Sequence, residues 1–252
     1  MERDYNLTVE ELIVVLTELG KIGEAKSLIE ALDQLGTPEN LAITLKVATR
    51  SLISKGVLDV IDDEYVFEPL FKEIIETYLV AEKTLRVSKV YGDAEHVILV
   101  YKSEMGIYIT HSIREFIFNF VAYNDYLKLM DDLVKFSNVR EGKQILETPQ
   151  VIKNDIVTVL MESEPEKYEE VLLNNDIPQQ LIPTLLEDHT NVEMAHAYVI
   201  FDETLQVVNP TLILQSPTRS WISYEKDQHV EIESFTAEKL KVYLAENFFN
   251  GE

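Results

Sequence analysis

The chain contains no cysteine, which removes disulfide scaffolding, thiol nucleophiles and cysteine-ligated zinc before any motif is sought. Glycine is scarce, with eight residues in 252, and most fall where turns or helix ends are expected. No G-x-x-x-x-G-K-[ST], G-x-G-x-x-G or G-x-S-x-G occurs, so there is no loop to cradle phosphates and no nucleophile elbow. No segment offers about 18 uninterrupted apolar residues, and Met1-Glu2-Arg3-Asp4-Tyr5 lacks the basic and apolar regions of a signal peptide. The expected location is the cytoplasm, without membrane insertion. Basic residues are few: 22 against 45 acidic ones, a formal charge of −23. That balance repels phosphate backbones and anionic membranes, so nucleic acid is not an expected partner.

Catalytic groups are equally sparse. The five histidines, His96, His111, His189, His196 and His229, stand singly, and none lies one helical turn from another ligand type on a predicted helix. The carboxylate pairs Glu10-Glu11 and Glu169-Glu170 read as solvated helix faces rather than acid/base machinery. The expectation is a protein with no metal, no cofactor and no enzymatic activity.

What is present is the composition of a folded protein, 46% hydrophobic and 27% charged. Thr8-Val9-Glu10-Glu11 fits a capping box, and Leu12, Val15, Leu16 and Leu19 follow at helical spacing up to Gly20. Thr37 and Pro38 open a second helix with the stripe Leu41, Leu45, Ala48 and Leu52, ending at Gly56. Val57 to Ile61, the turn Asp62-Asp63, and Tyr65 to Phe67 predict a small hairpin, and a helix runs from about Pro69 to Ala81. Helices followed by a hairpin resemble a winged helix. The hairpin carries Asp59, Asp62, Asp63 and Glu64 where a DNA-binding wing needs cations, so the unit reads as a protein-contact or packing element.

From Leu85 the period becomes two: Leu85 and Val87, His96 to Tyr101, Ile107 to Ile109, and Phe116, Phe118 and Phe120, then a helix from about Asn124. Thr148 to Asp188 reads as helices started by Pro149, Pro165 and Pro178, with no strand signal. Alternation returns in Val192 to Phe201, Leu205 to Leu214, Arg219 to Tyr224 and Val230 to Ser234, before a helix capped at Thr236. Both stretches follow one plan, about four strands in a meander and then one amphipathic helix. The predicted fold class is therefore α+β, with two pseudo-duplicated antiparallel meander-plus-helix halves, a winged-helix-like start and a helical insertion in the middle. The expected division is 1–140 and 141–252, with one continuous domain as the alternative.

One cluster points outward in chemistry. Ser216 to Tyr224 holds the only tryptophan, Trp221, beside Arg219, and tryptophan, tyrosine and arginine are enriched at binding hot spots. The competing reading packs Trp221 in the sheet core with Tyr224 on the opposite face.

The order of elements resembles the EspG-type chaperones of type VII (ESX) secretion. The likeness is carried by Leu7-Thr8-Val9-Glu10-Glu11-Leu12 with Leu19-Gly20, by Leu52 to Val57 leading into the acidic hairpin, by Phe67-Glu68-Pro69-Leu70, and by Arg219-Ser220-Trp221 before the last strand and helix. It covers nearly the whole chain through weak motifs of apolar and turn residues. The resemblance implies a cytosolic, non-catalytic chaperone that keeps a helical secretion substrate in hand before export. It further implies contact through the loop after the second meander strand, here Ser103, Glu104 and Met105, and through the helical segment of the second half, here Ile182, Leu185 and Leu186. The chain departs from that family in being rich in lysine and isoleucine, which suggests a Gram-positive (Firmicutes) relative with WXG-type or LXG-type substrates. The alternative from composition is an acidic immunity protein that blocks the groove of a basic nuclease toxin.

Overall fold

The computed structural model describes residues 3–31, 38–81, 83–102, 108–114, 117–140, 150–153, 170, 172–173, 179, 182–202, 204–226 and 229–249. It is an α+β protein in which helices accompany a large antiparallel sheet, as the sequence predicts. Two compact units emerge, Met1–Ala81 with Tyr101–Asn124, and Glu82–Val100 with Asp125–Glu252.

In the first unit, β1 (Arg3–Thr8) leads into α1 (Val9–Glu18), α2 (Ile22–Ala31) and α3 (Pro38–Ser54). The expected capping box is present: Thr8 accepts from the Glu11 amide, and the Glu11 carboxylate accepts from the Thr8 amide at 2.8 Å. Glu11 is buried and also receives the Lys55 ammonium at 2.7 Å, which compensates a charge otherwise costly to bury. The hairpin β2 (Leu58–Ile61) and β3 (Glu64–Phe67) turns through Asp62 and Asp63, both at positive φ, as a two-residue type I′ connection requires. α4 (Pro69–Val80) follows, with Phe71, Ile74 and Ile75 buried. β6 (Tyr108–Arg114) and β7 (Ile117–Tyr123) pair antiparallel, and β1 pairs with β7 from Arg3 opposite Ala122 to Thr8 opposite Ile117. β1 is absent from the sequence-based expectation: among its described side chains only Leu7 is fully buried, and its partner strand lies more than a hundred residues away.

In the second unit, β4 (Thr84–Tyr91) and the greater part of β5 (Ala94–Lys102) belong with β8 (Gln150–Lys153), β9 (Met194–Phe201), β10 (Val207–Gln215), β11 (Ser220–Lys226) and β12 (His229–Ser234), in the order β5-β4-β9-β10-β11-β12-β8. α5 (Tyr126–Ser137) closes the first meander and α6 (Ile182–Thr190) precedes the second. α7 (Ala237–Leu244), capped by Thr236, ends in a π-helical turn over Ala245–Phe249. Each predicted meander thus has its four strands and closing helix. β8 corrects the expectation of an all-helical Thr148 to Asp188: Gln150–Lys153 is drawn into the sheet by pairing with His229–Ile232 of β12, a tertiary contact with no local pattern. Tyr198, Ile213, Ile222, Leu240, Leu244 and Phe248 form the core of this unit.

Candidate functional site

The tryptophan cluster begins in a tight turn. Ser216 donates its amide to the Arg219 carbonyl at 2.8 Å, and the Ser216 hydroxyl accepts from the Arg219 amide at 3.1 Å, so Pro217 and Thr218 form the bend between β10 and β11. This geometry aims Arg219 and Trp221 at the last turns of α6. The Trp221 indole N–H donates to Asp188 Oδ2 at 2.6 Å, and Arg219 Nε donates to the same oxygen at 2.7 Å. A terminal guanidinium nitrogen of Arg219 also pairs with Glu187. The result is a clasp that ties α6 to the strands through one buried carboxylate.

Burial shapes its electrostatics. Asp188 is 6% exposed and Trp221 5%. Hydrogen bonding to Asp188 is the first cause that holds the Arg219 guanidinium above its ordinary range. Asp188 Oδ1 has no hydrogen-bond partner among the described residues. No group of three metal-ligating side chains occurs among the described residues.

The sequence-predicted residues divide by position. Ile182 is buried, Leu186 is half-buried on the same helix, and of Leu185 only its place within α6 is described. Arg219 is partly exposed, and Trp221 lies inward while Tyr224, three residues on and so on the other face of β11, is half-buried. Ser103, Glu104 and Met105 lie outside the described residues. α6 and the Arg219–Trp221 turn are therefore brought together, although 31 to 33 positions separate their bonded residues. Sequence reasoning missed Asp188, the residue that joins them. An acid within an apolar helix stripe, in a chain with a single indole, was the available signal.

A family profile described as uncharacterised protein YfjC matches residues 4–244. The chain belongs to the YfjC family. No curated protein matches this YfjC-family chain. Among solved structures it is similar to the Mycobacterium tuberculosis type VII secretion system chaperone EspG5 in complex with the PE25–PPE41 dimer. The TM-score is 0.63 at 9% identity, with 95% of this chain and 94% of that chain covered. The likeness shows the fold, and the EspG-type architecture expected from the order of elements is borne out.

Among the described residues no helix is long and apolar enough to cross a membrane.

Proposed function

We propose that this chain is a non-catalytic cytoplasmic chaperone that holds a helical protein before its export by a type VII secretion system. The observation that carries the reading is the fold shared with EspG5 over nearly the full length of both chains. The clasp supports it further, because Asp188 fixes α6 against the Arg219–Trp221 turn and so holds its outer face in place for contact. In this reading Leu186, Leu185 and Arg219 offer contacts, while Ile182 and Trp221, both buried, stiffen the elements that carry them. Ser103, Glu104 and Met105 offer a separate contact from the other unit. The substrate is a WXG-type or LXG-type protein of a Gram-positive organism.

The test is co-expression with such helical proteins followed by affinity capture. A stoichiometric complex is expected, and Leu186→Glu or Arg219→Ala should reduce its recovery by about tenfold, as the loss of one anchoring contact predicts. Failure of every helical candidate to co-purify overturns the proposal. The charge of −23 favours a second reading, an acidic immunity protein, which predicts instead that the chain quenches a basic nuclease in a DNA-cleavage assay.

A further inference from the structure

The second unit carries an open groove of about 870 Å³ that the clasp around Asp188 does not use. It lies between β10, β12 and α7 with its π-helical end. The register of β10 against β9 shifts between Val208 and Thr211, and Val207, Val208 and Pro210 all line the groove. Such irregularities re-aim side chains, whereas a regular strand sends successive ones to opposite faces. Across from them stands Val242 of α7. Val207 is 54% exposed and Val242 47%, so large apolar side chains on a strand and a helix face water together.

The rim is acidic. Glu231, Glu238 and Glu246 line it. Lys239 is already ion-paired with Glu233 and donates to the Ser234 carbonyl at 2.9 Å. Tyr224, at the groove wall, has its phenol held above the ordinary range, first by burial and then by the Glu233 and Glu231 carboxylates, as expected of an acid in a negative field.

An apolar floor within a carboxylate rim complements the inverse pattern. We propose that this groove docks a cationic amphipathic helix of a protein partner, with its apolar stripe on Val207, Val208 and Val242 and its lysines or arginines on Glu231, Glu238 and Glu246. The inference rests on the reading of the chain as a protein-binding module but uses none of the α6 contacts. A helix about 10 Å across occupies about 420 Å³ per turn, so the groove has room for about two turns. Anchors at i, i+3 and i+4 would meet the floor from one helix face.

The probe is a fluorescein-labelled peptide of about 16 residues, long enough to populate helix, built from leucine at i, i+3, i+4 and i+7 with lysine flanks and alanine elsewhere. Anisotropy titration against the full chain is read at about 0.15 M NaCl, where exposed charges more than about 8 Å apart are screened. Saturable binding is expected. The triple variant Glu231→Gln, Glu238→Gln and Glu246→Gln should weaken it by about tenfold, as three modest ion pairs predict, and Val242→Asp should do the same. A control triple, Glu18→Gln, Glu24→Gln and Glu76→Gln, removes equal charge from exposed positions of the other unit and should leave affinity within about twofold.

Equal loss in both triples, equal binding of a glutamate- or serine-flanked peptide, or indifference to Val242→Asp overturns the proposal. Self-association that disappears with Val242→Asp overturns it in favour of a second copy as occupant. Because the probe is synthetic, its failure leaves the co-purification test of the chaperone reading intact. Peptide binding without any co-purified partner would overturn that reading and leave the groove assignment standing.

Discussion

Asp188 concentrates two donors on one oxygen, and its replacement separates their contributions. Asp188→Ala leaves the Trp221 N–H and the Arg219 Nε–H without their acceptor, while the Arg219 pair with Glu187 remains, and should cost about 2 to 3 kcal/mol, whereas Trp221→Phe removes one neutral donor and should cost about 1 kcal/mol. Urea unfolding followed by circular dichroism measures both; equal costs would mean that the clasp contributes nothing beyond packing. His196 is a different kind of buried group. It is 0% exposed, neither ring nitrogen has a partner among the described residues, and desolvation, followed by the Lys89 charge, lowers its pKa to about 4. The unfolded chain takes up that proton near pH 6.5 and the folded chain resists it until about pH 4. Stability should therefore fall as pH drops from 6.5 to 4, by up to about 3 kcal/mol, and His196→Leu should flatten that slope in pH-dependent denaturation. Histidine type and strand period were legible in the sequence, but the burial of the ring is created by elements distant in the chain.

At the scale of elements, α1 shows how local and distant terms combine. Thr8→Ala removes the cap and should cost about 1 kcal/mol, the usual loss for a capping hydroxyl. Glu11→Ala removes the reciprocal cap and the partner of Lys55 together, and should cost about 2 kcal/mol, because the half-exposed ammonium can return to water. Thermal melts of the two variants check the order; a larger effect for Thr8 would deny Glu11 its second role. The capping box was legible because its residues are three apart. The winged-helix-like hairpin was legible through its turn, since aspartates tolerate the left-handed backbone found at Asp62 and Asp63. β1 and β8 were not. Tyr5 and Leu7 of β1 do alternate with Asp4, Asn6 and Thr8, but the run is short and merges with the capping box at Thr8, and it becomes a strand by pairing with β7; Gln150-Val151-Ile152-Lys153 has no alternation and is a strand only because β12 supplies its backbone partner.

For the whole molecule, the excess of 45 acidic over 22 basic residues opposes compaction through self-repulsion. Raising NaCl from about 0.02 to 0.5 M should raise the melting temperature by a few degrees, because screening shortens the repulsive range from about 20 to 4 Å. A lower melting temperature in salt would show that ion pairs such as Lys55–Glu11 outweigh the general repulsion. The sequence alone determined the absence of cysteine chemistry and known phosphate motifs, the repeated order of meander and helix, and the helix caps, since these depend on composition or on residues a turn or two apart. Tertiary structure alone decided that the tryptophan cluster closes inward on Asp188 and that Val207, Val208 and Val242 share an acid-rimmed groove. Both arrangements join side chains from separate elements, and proximity of that kind is created by packing, which leaves no periodic trace in the chain.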